Sequence, residues 1–328
     1  MTKCFSFKYP VFFLATLFAT IIPLGCDKSE PSSFDLVQYI ATQTTSSTSS
    51  TSNPSSDTSG DGSASTSTTT TAQQDYLLPN IDLNNWKVTL PVGNPSSVRP
   101  PEILDYATNE TLRPFFYNDS IDGSLVFYTY PGSTTPNSSY SRTELREQME
   151  SGSDHVNWTF AQGGTMRGTL SVPDISVNGS GTPHRVIVMQ IHGRLTDAQR
   201  DLIGEDDNNA PPILKIYWDR GRIRIKTKVV KDLTDSEEEL LHTDAWGDDD
   251  GITLPVDVGH DPFTLEVIVT NGRMEVILND EHSVVYDSVH IQKWGIFENY
   301  FKAGNYLQSI DQGAYSYVKY FDLEVRHN

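Results

Sequence analysis

Short runs in which apolar and polar residues alternate recur from about residue 76 to the end of the chain. This alternation is typical of β-strands that bury one face. Gly, Pro, Asn and Asp separate the runs, and Asn271-Gly272 and Arg220-Gly221 are typical of hairpin turns. The clearest runs predict strands at 86–90, 124–129, 185–192, 214–218, 223–229, 263–270, 274–279 and 318–325.

Helical periodicity is nearly absent from the same part of the chain. Only 198–202 and 236–241 predict single turns of helix. Roughly 250 residues of short strands at this spacing favour one all-β domain over two smaller ones. We therefore predict a β-jelly roll, a sandwich of two antiparallel sheets, over residues 76–328.

The N-terminal segment has a different pattern. Lys3 and Lys8 precede an apolar run at 10–24, which is too short for a comfortable membrane span and ends at Leu24-Gly25-Cys26. Residues 1–26 therefore resemble a signal peptide of the lipoprotein type, in which Cys26 receives the lipid. The protein would then be an outer-membrane or cell-surface lipoprotein, whereas ordinary signal cleavage would make it a secreted protein.

Residues 27–75 are mostly Ser, Thr, Asp, Gly and Gln. Such a segment buries too little apolar surface to offset its chain entropy, so we predict a disordered linker. The only cysteines in the sequence are Cys4 and Cys26, and both precede the predicted domain. The domain must therefore be stable without disulfides and cannot use a thiol as a nucleophile or zinc ligand.

The net charge of the chain limits the classes of partner that it can bind. The 328 residues include 24 Lys and Arg against 43 Asp and Glu, which gives a formal net charge of −19. A chain this acidic is poorly suited to binding nucleic acid or an anionic membrane surface. We expect a monomer that meets the membrane only through a lipid anchor, and any anionic ligand must bind in a local basic groove.

The first candidate string for chemistry is Arg142-Thr143-Glu144-Leu145-Arg146. In an extended strand Arg142, Glu144 and Arg146 share one face, and Leu145 points the other way. Glu144 can hold an arginine side chain in place through charge-assisted hydrogen bonds. Taken alone, however, the string fits an exposed strand with a ladder of alternating charges better than a functional site.

The second string ends the strand predicted at 185–192. Gln190 and His192 follow a stretch that is apolar on both faces, as expected of a strand that leaves the protein interior at a cleft. Taken alone, a half-buried histidine satisfied by its neighbours is the simpler explanation. Strict alternation assigns this strand to two faces, with Ile187, Met189 and Ile191 in the core and Val186, Val188, Gln190 and His192 opposite.

The third string covers 300–308. Gly304 within it leaves space where a chain can approach the sheet closely. Taken alone, a tyrosine-rich strand of a sandwich explains this string equally well. One predicted face carries Tyr300, Lys302, Gly304, Tyr306 and Gln308, and the other carries Phe301, Ala303 and Leu307.

Together the three strings resemble the alginate lyases of polysaccharide lyase family 7. The family strings have the forms R-[ST]-E-L-R, Q-[IV]-H and Y-F-K-x-G-x-Y-x-Q, and this chain matches all three in the family's order. The string W-K-V-T-L-P at 86–91 is similar to the family's opening strand, so the resemblance covers about residues 76–328. It implies a β-jelly roll whose concave sheet carries the active site.

The resemblance also implies the reaction, a β-elimination that cleaves the 1,4 glycosidic bond of alginate and leaves 4,5-unsaturated uronate ends. A base removes the proton at C5, which requires the adjacent carboxylate to be neutralised. Arg142 and Gln190 are predicted to neutralise it, and His192 to act as the base. Tyr306 is predicted to protonate the leaving O4, or to act as base when the C5 proton lies on its side. No cofactor and no metal is needed. The predicted substrate-binding residues are Glu144, Arg146, Lys215, Tyr217, Tyr300, Lys302 and Gln308.

Other functions remain to be weighed against this one. A lyase for another polyuronate, such as glucuronan, would use the same residues. A non-catalytic glycan-binding surface lipoprotein would need exposed aromatic residues instead. A jelly-roll glycoside hydrolase needs paired carboxylic acids, and the string E-x-D-x-x-E is absent. In the resembled family, Ile at the position of Ile191 accompanies guluronate-containing blocks, which predicts that such blocks are accepted.

The roles of two kinds of charged region, a basic hairpin and two acidic triplets, do not follow from the three strings. Seven basic residues crowd the predicted hairpin and form either a basic wall for a polyuronate or the solvated face of an outer strand. The acidic triplets at 205–207 and 248–250 lack the alternating ligand spacing of a calcium loop, so we predict solvated loops. The basic residues are Lys215, Arg220, Arg222, Arg224, Lys226, Lys228 and Lys231.

Overall fold

The structure is a computed structural model that describes residues 77–135 and 138–327. The predicted signal peptide with Cys26 and the predicted linker at 27–75 lie outside the described residues, so both stay predictions. No helix within the two described ranges is long and apolar enough to cross a membrane.

Strands dominate the described residues, as the alternation predicts. They are β1 (Asn80–Ile81), β2 (Trp86–Thr89), β3 (Ser97–Val98), β4 (Phe116–Asn118), β5 (Leu125–Thr129), β6 (Arg142–Glu147), β7 (Trp158–Thr159), β8 (Gly164–Ile175), β9 (Arg185–Arg194), β10 (Asn209–Asp219), β11 (Arg222–Val230), β12 (Trp246–Asp248), β13 (Ile252–Asp257), β14 (Phe263–Thr270), β15 (Arg273–Leu278), β16 (His282–Tyr286), β17 (Glu298–Leu307) and β18 (Ser316–Arg326).

Short helices connect some of these strands. They are α1 (Asp197–Ile203), α2 (Glu237–Leu240), α3 (Val289–Lys293) and three 3₁₀ turns at Glu102–Asp105, Thr243–Ala245 and Trp294–Ile296. α1 and α2 confirm the two predicted helical turns, and both begin with a capping box. The predicted hairpin turn between β10 and β11 is also confirmed, with Arg220 and Gly221 at φ of 55° and 78°.

The strands form two sheets. The eight-stranded sheet has the order β16-β15-β14-β8-β18-β5-β4, with β1 beside β18. The ten-stranded sheet has the order β12-β11-β10-β9-β17-β6-β2-β3, with β13 beside β11 and β7 beside β17. All pairings are antiparallel except that β1 runs parallel to β18. The predicted two-sheet jelly roll is confirmed.

The hydrophobic core lies between the two sheets. Phe127 and Tyr320 of the eight-stranded sheet pack edge to face, with ring centroids 5.4 Å apart. Leu145, Met189 and Phe301 bury their side chains completely from the ten-stranded sheet. The opposite side of the ten-stranded sheet, which faces away from this core, is called the polar face below.

A β-bulge interrupts the alternation of β9 at Val188. Ile187 lies directly opposite Tyr217 of β10 and Tyr306 of β17, whereas Val188 has no opposite partner in either register. One extra residue inverts the faces of all residues before it. The predicted faces are therefore wrong on that side of the bulge, because Ile187 lies on the polar face, and Val186 and Val188 belong to the core.

The bulge is held by a residue of the other sheet. Tyr320 Oη donates a hydrogen bond of 2.6 Å to the carbonyl of Val188 and accepts one of 3.3 Å from the N–H of Gly304. Both backbone groups are buried and lie where the pairing of β9 with β17 is irregular. One phenol thus hydrogen-bonds two buried backbone groups at the irregularity of this pairing.

The end of β18 is tied to the ten-stranded sheet through the buried Glu147. The Glu147 carboxylate accepts hydrogen bonds from the Trp158 indole (3.0 Å) and the Phe301 N–H (2.9 Å). Its other oxygen lies 2.5 Å from Nε2 of His327, whose Nδ1 faces the Gly163 carbonyl at 3.1 Å. Burial lowers the pKa of His327, but the hydrogen bond and charge of Glu147 outweigh burial and raise it above 6.5.

We expect this pair to make stability depend on pH. Because the pKa of His327 is higher in the folded than in the unfolded state, its contribution is complete below the unfolded value of 6.5 and is lost as the pH rises through the folded value. Urea unfolding over about pH 5 to 9 should show this loss in the wild type and not in His327→Gln. The same pH dependence in both proteins would contradict the prediction.

Candidate active site

The three polar strings lie side by side on β6, β17 and β9, in the middle of the ten-stranded sheet. Lys302 of β17 lies directly opposite Arg146 of β6 and Gln190 of β9, and Tyr306 lies opposite Arg142. Directly opposed residues face the same side of a sheet. The alternation predicted for β6 and β17 is therefore confirmed, and the strings present their polar side chains on one face.

Glu144 is the centre of this group and is only 1% exposed. Its carboxylate accepts a 2.5 Å hydrogen bond from Nε2 of Gln190 and forms an ion pair with the ammonium of Lys302. The guanidinium of Arg142 lies 3.6 Å away. A buried carboxylate needs such partners. Glu144 therefore holds a residue from each string, whereas the sequence predicted only its contact with an arginine.

Positive charge exceeds negative charge around Glu144. Arg142 and Lys302 each carry one positive charge against the single negative charge of Glu144, so one positive charge remains for an anionic ligand. Burial lowers the pKa of Lys302 from 10.5 to about 8, although Glu144 pulls it upward. Lys302 is therefore protonated at neutral pH by a small margin.

Tyr306 is held between an arginine and a loop. The guanidinium carbon of Arg142 lies 4.1 Å from the centroid of its ring. Its Oη is 2.6 Å from Oγ of Ser138, and Ser138 donates its own hydrogen to the carbonyl of Tyr140. Tyr306 is therefore the donor in its contact with Ser138. Ser138 was not predicted from the sequence, because it lies in a Ser- and Thr-rich loop without periodicity.

His192 is oriented by stacking and by a backbone hydrogen bond. Its ring lies parallel to that of Tyr300, with centroids 5.2 Å apart. Nδ1 is 3.0 Å from the Gly193 carbonyl, which can only accept, so Nδ1 carries the hydrogen and Nε2 the lone pair. Burial and then the charge of Lys302 lower the pKa of His192 to about 3. The imidazole is therefore neutral near pH 7, the state that a general base requires.

Arg146 has a different environment from Arg142. It donates a 2.9 Å hydrogen bond to Oδ1 of Asn157, lies 3.3 Å from the carboxylate of Asp154, and stacks over the ring of Tyr300 at 4.1 Å. It lines a cleft of about 290 Å³. Arg146 is therefore fixed in the wall of a cleft, whereas Arg142 lies over Tyr306, the predicted acid. The spacing in the sequence alone could not tell the two arginines apart.

The remaining predicted binding residues border the centre. Lys215 lies opposite Gln190 on β10, and Tyr217 follows on the same face. Burial raises the pKa of Tyr217 to about 12, so its phenol stays protonated. Gln308 follows β17 and donates a 3.3 Å hydrogen bond to the carbonyl of Tyr306. Among residues 77–135 and 138–327, no group of three or more His, Cys, Asp or Glu side chains could hold a metal ion.

The basic hairpin shares the polar face with these residues. Lys226 lies opposite Lys215, and alternating cationic residues of β11 therefore point to the same side as the site. The acidic triplet at 248–250, predicted as a solvated loop, is bound to this hairpin. Asp248 pairs with Lys215 at 2.9 Å, and Asp249 accepts a 3.0 Å hydrogen bond from the N–H of Thr227.

Gly304 lies where β6, β9 and β17 meet. Its φ is +137°, and an added Cβ would lie 2.8 Å from the Thr143 carbonyl oxygen and 2.9 Å from the ring of Phe127. The sequence predicted that Gly304 leaves space where a chain can approach the sheet closely. In the structure the close neighbours are the backbone of β6 and the core, with which a side chain at this position would collide.

We expect Gly304→Ala to lower the free energy of unfolding by about 2 kcal/mol or more, from backbone strain and overpacking. Turnover should fall as well, because Lys302 and Tyr306 flank the position. Gly179→Ala is the matched control, since its φ is outside the left-handed region and no atom lies within 4 Å of its Cβ. Equal stability of the two variants in urea unfolding would contradict this prediction.

Comparisons with known proteins agree with the geometry. The family model for alginate lyases matches residues 81–327. The alginate lyase of Klebsiella pneumoniae is 24% identical over 289 residues, which are 75% of this chain and 89% of that protein. The crystal structure of alginate lyase A1-II′, a member of polysaccharide lyase family 7, is 30% identical with a TM-score of 0.60, over 76% of this chain and 97% of that one.

A more distant structure shares the fold. The alginate lyase from Pseudomonas aeruginosa is 21% identical with a TM-score of 0.56, over 76% of this chain and all (100%) of that one. The family match covers nearly all of the described residues, including the three strings and Glu144. The chain therefore belongs to the alginate lyases of polysaccharide lyase family 7.

Proposed function

We propose that this protein is an alginate lyase, which cleaves the 1,4 glycosidic bond by β-elimination and leaves 4,5-unsaturated uronate ends. The observation that carries the proposal is the cluster around Glu144, where residues of all three strings meet on one face of the sheet. A1-II′ is known in complex with a substrate (GGMG) and with a product (GGG), which supports the same substrate class for this chain.

The first requirement of the reaction is to neutralise the uronate carboxylate. An ionised carboxylate opposes a second negative charge on the adjacent C5, so donors and positive charge must stabilise it as the C5 proton leaves. Arg142 supplies a guanidinium, and the positive charge left over around Glu144 favours an anion there. Gln190 gives one N–H to Glu144 and has a second N–H on the same nitrogen for the substrate.

His192 removes the C5 proton with the lone pair of Nε2. In the free enzyme its pKa of about 3 makes it a weak base, because burial and the charge of Lys302 oppose the imidazolium. A bound uronate carboxylate places a negative charge near Lys302 and Arg142, which raises the pKa of His192 toward the working pH. The substrate thus strengthens the base that acts on it.

Tyr306 protonates the leaving oxygen. As the C5–H bond breaks, its electron pair forms the C4=C5 double bond, the C4–O4 bond breaks, and O4 takes the proton from Tyr306 Oη. Water then returns a proton to Tyr306 and removes the one on His192. When the C5 proton lies on the tyrosine side of the sugar ring, Tyr306 acts as a phenolate after water has removed its hydroxyl proton, and it passes the proton taken from C5 to the leaving O4.

An absorbance assay tests the proposal. Elimination creates a conjugated double bond that absorbs in the ultraviolet, whereas hydrolysis creates none. We expect the absorbance to rise when the protein is incubated with alginate and to stay constant with a neutral glucan. No rise with alginate, polyguluronate or polymannuronate would contradict the proposal. A faster rise with glucuronan would assign the protein to another polyuronate.

We also propose that guluronate-containing blocks are accepted. The support is the resemblance at Ile191, which lies between Gln190 and His192. Ile191 is completely buried in the core, so it can act only through the positions of these two neighbours. Ile191→Val should lower the ratio of the rates on polyguluronate and polymannuronate, and an unchanged ratio would remove Ile191 from the explanation.

We propose further that the protein is an extracytoplasmic lipoprotein. The support is the Leu24-Gly25-Cys26 string after an apolar run. A fatty-acid analogue should label the protein in cells, and Cys26→Ser should lose the label and leave the membrane fraction. Unlabelled wild-type protein in the medium would instead indicate ordinary secretion.

A further inference from the structure

A continuous row of residues crosses the polar face at right angles to the strands. Each member lies directly opposite the next in the registers of β2, β6, β17, β9, β10 and β11. Six strands at about 4.8 Å spacing give the row a length of roughly 24 Å. This transverse row consists of Lys87, Arg146, Lys302, Gln190, Lys215 and Lys226.

The counter-charges of the transverse row are uneven. Asp154 pairs with Lys87 and Arg146 at one end, and Glu144 pairs with Lys302 in the middle. At the other end Asp248 is, among the described residues, the single carboxylate within 4 Å of three lysine ammonium groups, at 2.9 Å from Lys215, 3.9 Å from Lys226 and 2.7 Å from Lys228. We call these three the lysine cluster, and Asp248 leaves two of its positive charges unmatched.

The lysine cluster is partly buried. The side chains of Lys215, Lys226 and Lys228 are 15%, 25% and 15% exposed, whereas that of Asp248 is 33% exposed. Partly buried charges are screened less by salt than fully exposed ones, so the two unmatched charges attract an anion effectively. Asp248 is the most exposed of the four, so its position is accessible to a second carboxylate.

The strand that carries Asp248 does not depend on that carboxylate. Asp249 next to it accepts hydrogen bonds from the N–H and the hydroxyl of Thr227, at 3.0 Å and 3.2 Å. The carbonyl of Asp250 accepts a hydrogen bond from Arg224, and Trp246 of β12 is buried. The Asp248 side chain can therefore exchange its partners while the backbone of β12 stays in place.

We propose that the lysine cluster is an outlying carboxylate subsite for a uronate chain that lies along the transverse row, and that Asp248 is the resting counter-ion with which the substrate carboxylate competes. The inference rests on the proposed function. Lys215 is one strand away from Gln190 and Lys226 two, which places the subsite roughly 5 to 10 Å beyond the reacting centre. Only substrates long enough to span this distance gain from it.

Removing the charge of Asp248 tests whether this carboxylate competes with the substrate. Asp248→Asn should lower the KM for polymeric alginate about three- to tenfold, because a competing charge near 4 Å is removed. If Asp248 merely fixed β12, the variant would raise the KM or leave it unchanged, and either outcome would overturn the proposal. Thermal unfolding of the same samples checks that the fold is retained.

Removing the cations should have the opposite effect and should depend on length. For Lys226→Gln with Lys228→Gln, the ratio of kcat/KM on polymer to that on the shortest oligomer that is cleaved should fall about tenfold. The control, Arg273→Gln with Arg326→Gln, removes the same charge from the eight-stranded sheet, where each arginine pairs with a glutamate of its own strand. An unchanged ratio in the lysine variant, or an equal fall in the control, would overturn the proposal.

The two proposals fail in different ways. If the wild type forms no unsaturated product from any uronate polymer, the proposed function fails. If the wild type is active but replacing the two lysines does not change the ratio of kcat/KM on polymer to that on the short oligomer, only the proposed subsite fails. Calorimetric titration of Tyr306→Phe with a series of alginate oligomers adds a readout without turnover. Affinity should rise at the length that reaches the lysine cluster, and the same rise after both lysines are replaced would overturn the subsite.

Discussion

Tyr306→Phe is expected to keep the fold and lose nearly all turnover. The Tyr306 ring lies on the polar face under the guanidinium of Arg142. Among the described residues, its hydroxyl has one hydrogen-bond partner, Ser138 in a loop. Removing the oxygen therefore costs little packing. Without the acid, O4 leaves as an alkoxide, and loss of general acid catalysis typically costs about a hundredfold to ten-thousandfold in rate.

Two control variants distinguish the loss of the Tyr306 hydroxyl from the loss of neighbouring groups. Ser138→Ala removes the neighbour of the phenol but keeps the phenol, so its effect on kcat should be much smaller. Tyr300→Phe changes the tyrosine that stacks on His192 and should also retain most of the activity. The formation rate of unsaturated uronate gives kcat, and calorimetry gives the affinity for alginate oligomers. Activity of Tyr306→Phe within tenfold of the wild type would remove Tyr306 from the acid role.

Glu144→Gln is expected to affect stability and activity together. The change keeps the volume and a hydrogen-bond acceptor for Gln190, but it leaves Lys302 buried without its counter-charge. Breaking a buried ion pair typically costs about 3 to 5 kcal/mol. Lys302 should respond by losing its proton, since its pKa is already lowered to about 8. Turnover should fall at least about a hundredfold, because Arg142 loses the charge that positions it and a deprotonated Lys302 no longer contributes positive charge beside the substrate carboxylate.

A double variant tests whether the pair acts as a unit. Glu144→Gln combined with Lys302→Met removes both charges, so it should recover a large part of the stability lost in the single variant. Activity should stay low, because the positive charge beside the substrate carboxylate is also gone. Additive losses of unfolding free energy in the two single variants and the double variant would show that the pair is not coupled.

The strands and the three strings were predictable because both are local patterns. The predicted strands β11, β14 and β15 bury one side of an alternating run, and the alternation of Arg142, Glu144 and Arg146 on β6 is preserved in the structure. The longest strand, β8 (Gly164–Ile175), was not among the predicted strands. Gly164 and Gly168 interrupt its apolar alternation, so the remaining apolar residues are too few to predict a strand here.

The bulge at Val188 and the transverse row could not be predicted in the same way. A bulge is defined by the pairing of one strand with its neighbours, and nothing in the residues around Val188 marks the extra position. Likewise, Lys87 and Lys226 are far apart in sequence and share a row only through five successive strand pairings. The contact of Ser138 depends on the loop between β5 and β6, and those of Asp248 depend on the pairing of β12 with β11.

Tyr320 has a practical consequence for engineering this enzyme. Its phenol belongs to the eight-stranded sheet, yet it fixes the backbone at Val188 and Gly304, two residues before Tyr306. The two sheets are therefore not independent targets for directed evolution. Libraries that repack β18 to gain thermostability are therefore expected to move Tyr306, the proposed acid, although no substituted residue touches the sugar. Selection on melting temperature alone would retain variants whose turnover has been lost, so each round needs an activity screen.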